Sequence, residues 1–218
     1  MTAGLTEWGA PADRAALAVL AVHGRGQDPA FMRATARRLG TASARFFAPE
    51  AEGNTWYPLS FLEPVERNQP ALDRAVQVLE FSLDRLAEAG FGGDRVVLWG
   101  FSQGACLLAH LVLSAPRPVA GLVLFTGGYP GTTPPAPGSR ALRGVPVVLR
   151  SIEHDPWVPR YRVEETAAVL RQAGAEVDLR IDPGTEHIIT DEACATATEL
   201  LDAVAARGAG EPGAANGC

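Results

Sequence analysis

Gly100-Phe101-Ser102-Gln103-Gly104 is the stretch that most narrows the folds open to this chain. It closes the β-type run Arg95–Gly100 and opens a helical pattern that reaches about Ser114 and stops before Pro116. A serine on so sharp a strand-to-helix turn must take a strained backbone, and a glycine two residues to either side leaves room for chain that passes close by. The hydroxyl then projects from the end of a sheet. It also sits at a helix N-terminus, where unpaired N–H groups can stabilise a developing oxyanion. The bland alternative, a chance Gly-x-Ser-x-Gly in a loop, has no need of the strand before it or the helix after it.

The rest of the chain alternates in the same way. Short β-branched or aliphatic runs at Leu17–Val22, Ala44–Ala48, Arg95–Gly100, Gly121–Phe125, Val145–Ile152 and Glu176–Ile181 are separated by longer helical patterns. Near-continuous apolar strands interleaved with helices are how a mostly parallel sheet with crossover helices on both faces reads in sequence. One helix is expected from Pro70 to Gly90, with Leu72, Val76, Leu79, Phe81, Leu83 and Leu86 on its apolar face, and others near Val163–Ala173 and Asp191–Ala206. The Gly- and Pro-rich stretch Gly127–Arg140 reads as a long loop between strands, and no insertion is long enough for a large lid. The expectation is one α/β domain over residues 1–207 and a disordered Gly/Ala/Pro tail over residues 208–218.

Composition removes several chemistries. None of the 19 basic residues is a lysine, which excludes Schiff-base catalysis, a pyridoxal phosphate anchor, a Gly-Lys-Ser/Thr phosphate loop and a Ser-Lys dyad. A net charge of -6 without a basic patch argues against nucleic-acid or anionic-membrane partners and for a small, weakly charged one. The apolar run Ala15–Val22 is too short to span a bilayer, and the first ten residues carry no positive charge to open a secretory signal, so a cytoplasmic location is expected. Cys106, Cys194 and Cys218 are odd in number and lack Cys-x-x-Cys spacing; free thiols are expected, with no metal and no organic cofactor.

A serine nucleophile needs a base held by an acid. Of four histidines, His187 lies in the loop between the last strand and the last helix, where this topology delivers its base. His110 falls eight residues into the helix after Ser102, about 12 Å along its axis; His23 reads as a loop brace, and His154 adjoins the candidate acid. For that acid, Asp155 follows the strand Val145–Ile152 and is preferred, with Asp182 the main competitor and Glu153 a weaker one. The oxyanion donors expected are the backbone N–H of Gln103 and that of Arg25, in Val22-His23-Gly24-Arg25-Gly26-Gln27 after the first strand. This Gly-x-Gly does not complete a dinucleotide fingerprint, because Pro29 stands where Gly or Ala is required.

Trp56, Tyr57, Phe61, Leu62, Trp157 and Ile188 flank these loops and are candidates for an apolar acyl pocket; the competing reading is that such aromatics only seal the core. An apolar rim there would also support a homodimer. Arg25 is the one cation within the motifs, a candidate contact for a substrate carboxylate or phosphate.

Gly-Phe-Ser-Gln-Gly-Ala, Val-His-Gly-Arg-Gly, Asn54-Thr55-Trp56-Tyr57-Pro58 and Asp155-Pro-Trp-Val-Pro together resemble the phospholipase/carboxylesterase family of small α/β-hydrolases, which includes the acyl-protein thioesterases, over about Leu17 to Ala206. The stretch from Ala48-Pro49 to Phe61-Leu62 resembles a bacterial carboxylesterase branch of it. The resemblance implies a triad on Ser102, Asp155 and His187 and oxyanion donors on Arg25 and Gln103. Two positions depart from the pattern: Glu186 replaces a small residue before the histidine, and Gln27 replaces an acidic residue that braces the early loop. The expected reaction is hydrolysis of an ester or thioester of a small to medium substrate through an acyl-enzyme. Capture of the acyl group by another nucleophile, as in a transferase or cyclase, uses the same residues; a non-catalytic ligand-binding protein on this fold would instead be marked by loss of a triad member.

Overall fold

The computed structural model describes residues 4–40, 43–136 and 141–208. Seven strands, β1 (Leu5–Gly9), β2 (Leu17–Val22), β3 (Ala44–Pro49), β4 (Val96–Phe101), β5 (Gly121–Phe125), β6 (Pro146–Ile152) and β7 (Glu176–Asp182), form one sheet in the order β1-β3-β2-β4-β5-β6-β7. All neighbours are parallel except β1 and β3, which pair antiparallel from Leu5↔Pro49 to Gly9↔Arg45. Every residue of β2, β4 and β5 is buried, as a sheet covered on both faces requires.

The six α-helices among the described residues are α1 (Pro29–Ala36), α2 (Val65–Asn68), α3 (Ala71–Glu88), α4 (Gln103–Ser114), α5 (Arg160–Gln172) and α6 (Asp191–Gly208). On one face of the sheet Leu79, Leu83, Leu107, Leu111, Val163 and Leu170 from α3, α4 and α5 pack against Leu20, Leu98 and Leu122. On the other, Met32 of α1 and Ala197, Leu201 and Val204 of α6 pack against Val19, Val97 and Val123. Alternate residues of each strand thus feed opposite cores, which is the period-two rule at work in a three-layer fold.

The six expected strands and four expected helices are present. β1 was not expected: Leu-Thr-Glu-Trp-Gly is short, polar and mostly exposed, held as an edge strand by Trp8 stacked on Phe46 at 5.3 Å and by a 2.6 Å Glu7–Arg45 ion pair. In α3 the buried stripe is Leu72, Ala75, Leu79, Ser82, Leu83 and Leu86; Phe81 falls off this three-to-four-residue spacing and is 40% exposed, contrary to expectation. The tail beyond Gly208 and residues 137–140 of the Gly/Pro loop lie outside the described residues.

The parallel strands all point the same way, so the loops after β2, β4, β6 and β7 emerge at one edge. β3 lies on one side of β2 and β4 on the other, which makes the β2/β4 boundary the switch point where α/β sheets open a crevice.

Candidate active site

Ser102 stands between β4 and α4 with φ 54° and ψ -121°, a left-handed conformation that side chains rarely adopt. The strain is held on both sides: Ser102 N–H donates across the sheet to Phe125 O at 2.9 Å, and Ser102 O accepts from Cys106 N–H at 3.0 Å in the first turn of the helix. The flanking glycines are required by space. A Cβ on Gly100 would lie 2.7 Å from Ala105 N, and one on Gly104 would strike the carbonyls of Val22 and His23.

His187, in the loop after β7, and Asp155, in the turn after β6, are joined by a 2.6 Å hydrogen bond between Nδ1 and Oδ2. The other carboxylate oxygen, Oδ1, accepts the N–H groups of Trp157 at 2.8 Å and Val158 at 2.9 Å. Burial by itself would raise the Asp155 carboxyl, but the hydrogen bonds from His187, Trp157 and Val158 outweigh it and hold the group below its ordinary value. With Asp155 ionised, Nδ1 carries the proton and Nε2 is the free lone pair. The imidazole also packs on Phe101 at 5.0 Å between ring centroids. The rival acids are engaged elsewhere: Asp182 with Arg180 at 2.6 Å and Glu153 with Arg160 at 2.8 Å. His110 is half-buried on α4 and His154 is exposed.

Ser102, Gln103, Cys106, His187, Arg25, Tyr57, Phe61, Trp157 and Val158 line a single cleft of about 520 Å³. Among the described residues no hydrogen bond joins Ser102 Oγ to His187; catalytic contacts of this kind commonly tighten only in the substrate complex. Neither the Arg25 nor the Gln103 N–H donates to a protein acceptor among the described residues. Cys106 is no rival nucleophile, because burial pushes its thiol up to about 12 and its Sγ accepts from Gly128 N–H. Among the described residues no cluster of three His, Cys, Asp or Glu side chains is placed to hold a metal ion.

Three of the six expected pocket residues lie elsewhere. Trp56 is only 4% exposed, its indole N–H donating to His23 O at 2.8 Å and its ring lying against the His23 imidazole; it seals the core. Leu62 is partly buried against the core, and Ile188, although 44% exposed, lines a separate small cavity with Phe125 and Ile152. In their place Pro58, Leu59 and Ser60 form one wall. Cys106 was also missed, although it stands four residues after Ser102 and therefore on the same helix face. The Arg25 guanidinium is not a free fork: it donates to the carbonyls of Tyr57, Pro58 and Leu59 at 2.9, 2.8 and 2.7 Å. Gln27 does brace its loop, with Oε1 accepting Gly24 N–H at 3.0 Å, and Glu186 is exposed.

His23 is fully buried, with Nδ1–H on Gly24 O at 2.8 Å and Nε2 accepting Ala51 N–H at 3.1 Å. Burial lowers its pKa from 6.5 against the opposing pull of Gly24 O, Asp28 and Glu50, and burial lowers His110 likewise. The unfolded chain therefore binds protons that the folded one refuses. The stability these neutral imidazoles contribute is present above 6.5 and is lost as the pH falls below it. The melting temperature is expected to drop between about pH 7.5 and about pH 5, and His110→Gln to remove part of that slope; a flat wild-type profile would contradict both assignments.

A mostly parallel sheet with a strained serine after a central strand and a histidine–carboxylate pair delivered by later loops defines an α/β-hydrolase. Residues 7–205 match the phospholipase/carboxylesterase family, and the chain belongs to it. Its structure superposes on the crystal structure of a phospholipase/carboxylesterase from Dyadobacter fermentans with a TM-score of 0.84 at 31% identity, covering 92% of this chain and 95% of that one. It is also similar to acyl-protein thioesterase 1 of Schizosaccharomyces pombe, 28% identical over 106 residues, or 48% of this chain and 47% of that protein. A probable carboxylesterase, SOBER1-like, of Arabidopsis thaliana is 24% identical over 58% of this chain and 48% of its own length. The matched segments thus span about half the length of these two relatives. No helix among the described residues is long and apolar enough to cross a membrane.

Proposed function

We propose that the chain is a serine hydrolase that cleaves carboxylic ester or thioester bonds of small to medium substrates through an acyl-enzyme. The observation that carries this reading is the 2.6 Å Asp155–His187 bond, on a histidine that opens into the same cleft as Ser102. His187 Nε2 takes the Ser102 proton as Oγ attacks the acyl carbon, and Asp155 steadies the imidazolium that forms. The Arg25 and Gln103 N–H groups, the latter at the N-terminus of α4, receive the oxyanion. Collapse of the tetrahedral species expels the alcohol or thiol, protonated by His187; water activated by the same nitrogen then releases the acid. The family and the relatives named as carboxylesterases and a thioesterase support this reaction class.

The cleft walls fit an acyl group: Phe61, Trp157 and Val158 are apolar lining residues, and Trp157 is 71% exposed. The test is covalent. A fluorophosphonate probe is expected to label the purified protein once, with the adduct on the peptide containing Ser102; an unlabelled protein, or label on another residue, overturns the reading.

A further inference from the structure

The two backbone donors assigned to the oxyanion come from separate elements, the loop after β2 and the first turn of α4, which pack closely at Gly104 but, among the described residues, share no backbone hydrogen bond. Their side chains meet at one atom. Arg25 Nη2 donates to Tyr57 O at 2.9 Å, and Gln103 Nε2 donates to the same oxygen at 2.8 Å. Resting on the acyl-enzyme reading above, we infer that the side chains of Arg25 and Gln103 are positioning residues that set the spacing of the oxyanion hole by gripping a shared carbonyl, that of Tyr57.

The segment 54–60 that offers this carbonyl is itself pinned. Gln103 Oε1 accepts Trp56 N–H at 3.0 Å, so one side-chain amide holds the segment at two backbone points, Trp56 N–H and Tyr57 O. Trp56 Nε1 donates to His23 O, Gly26 N–H donates to Asn54 O at 2.7 Å, and Arg25 holds Pro58 O and Leu59 O as well. At the far end the buried Asn68 amide accepts Leu59 N–H at 2.9 Å and donates to Ser60 O at 3.0 Å. Tyr57 anchors the middle, with its ring in the core at 1% exposure. The segment is therefore a fixed bar to which both donor residues are tied. An oxyanion hole needs that rigidity, because its donors must stand 2.7–3.1 Å from an oxygen whose charge appears only in the transition state.

The same bonds limit what Arg25 can do for a charged substrate. Three of its five N–H donors are on carbonyls, and the two left, Nε–H and one on Nη1, do not form a fork for a carboxylate. Loss of the guanidinium then acts on turnover, for neutral and anionic esters alike.

The experiment is a double-mutant cycle of Arg25→Met and Gln103→Met. It is read with a neutral p-nitrophenyl ester and the matching hemisuccinate, alongside fluorophosphonate labelling rate and melting temperature. Each single change is expected to lower kcat and the labelling rate about tenfold to hundredfold with KM nearly unchanged, and the double variant to fall no more than about threefold below the worse single one, since either change releases the same clamp. Arg25→Lys, whose ammonium still reaches a carbonyl, recovers part of kcat. Multiplying effects would make the two residues independent and overturn the clamp. So would an Arg25→Met effect confined to KM for the hemisuccinate, or variants that turn over like the wild type. Should Gln103→Met not fold, the exposed Arg25 decides the matter alone through its kcat-against-KM split. Failure of the wild type to label overturns the acyl-enzyme reading itself; a labelled wild type with indifferent variants overturns only the clamp.

Discussion

Asp155→Asn is expected to lower kcat for ester hydrolysis about 10⁴-fold, the size seen when a triad histidine is left in the wrong tautomer, while KM and the melting temperature stay near those of the wild type. The reason is in the two halves of this carboxylate. Trp157 and Val158 present N–H groups to Oδ1, so an asparagine must keep its amide oxygen there. Its NH₂ then takes the place of Oδ2 and faces His187 Nδ1, which now donates across that 2.6 Å contact. Two donors cannot share it. The ring is driven to carry its proton on Nε2, where it can no longer accept from Ser102. The substitution is nearly isosteric and keeps both backbone bonds, so the loss should fall on turnover, not on folding. Kinetics and thermal melts on the purified variant check this; a fall in kcat of less than about tenfold would remove Asp155 from the role proposed for it.

The same turn shows where sequence reading reached and where it stopped. Ser102, Asp155 and His187 could be singled out because each follows a strand in a parallel sheet, and chain order then fixes which edge the following loops share. The strands themselves were legible because burial on both faces leaves near-continuous apolar runs, as in β2 and β4. β1 gave no such run, since an edge strand with exposed Thr6 and Glu7 has little to distinguish it from a loop. The pocket residues were harder for a related reason. Trp56 and Tyr57 are neighbours in the same segment, yet the first caps His23 and the second lines the cleft. That difference is set by hydrogen bonds from Gln103 and Arg25, residues far off in sequence, and no local pattern encodes it. Arg25 itself reads as a free cation until three carbonyls are found on its guanidinium.

Gly104→Ala is the substitution expected to cost most in stability. Glycine here does not serve an unusual φ; it serves a close approach. A Cβ on residue 104 would meet the carbonyl oxygen of Val22, and it would stand 2.6 Å from His23 O and from Val22 C. All are backbone atoms at the end of β2, a strand buried along its whole length between β3 and β4. No side chain can swing aside to make room. Either α4 lifts from the sheet, opening the packing of Leu107, Leu108 and Leu111, or the end of β2 moves and takes Gly24 and Arg25 with it. Overpacking against such a wall costs roughly 3 kcal/mol or more, which in a chain of this size lowers the melting temperature by about 6–12 °C. Both escapes also separate the Arg25 and Gln103 N–H groups, so whatever fraction folds should turn over slowly. Gly4→Ala, where a Cβ meets nothing within 4 Å, is the matched control and should melt with the wild type. A Gly104→Ala protein that melts within about 2 °C of the wild type would mean that β2 and α4 can part without penalty, and the close approach would then have no part in fixing the site.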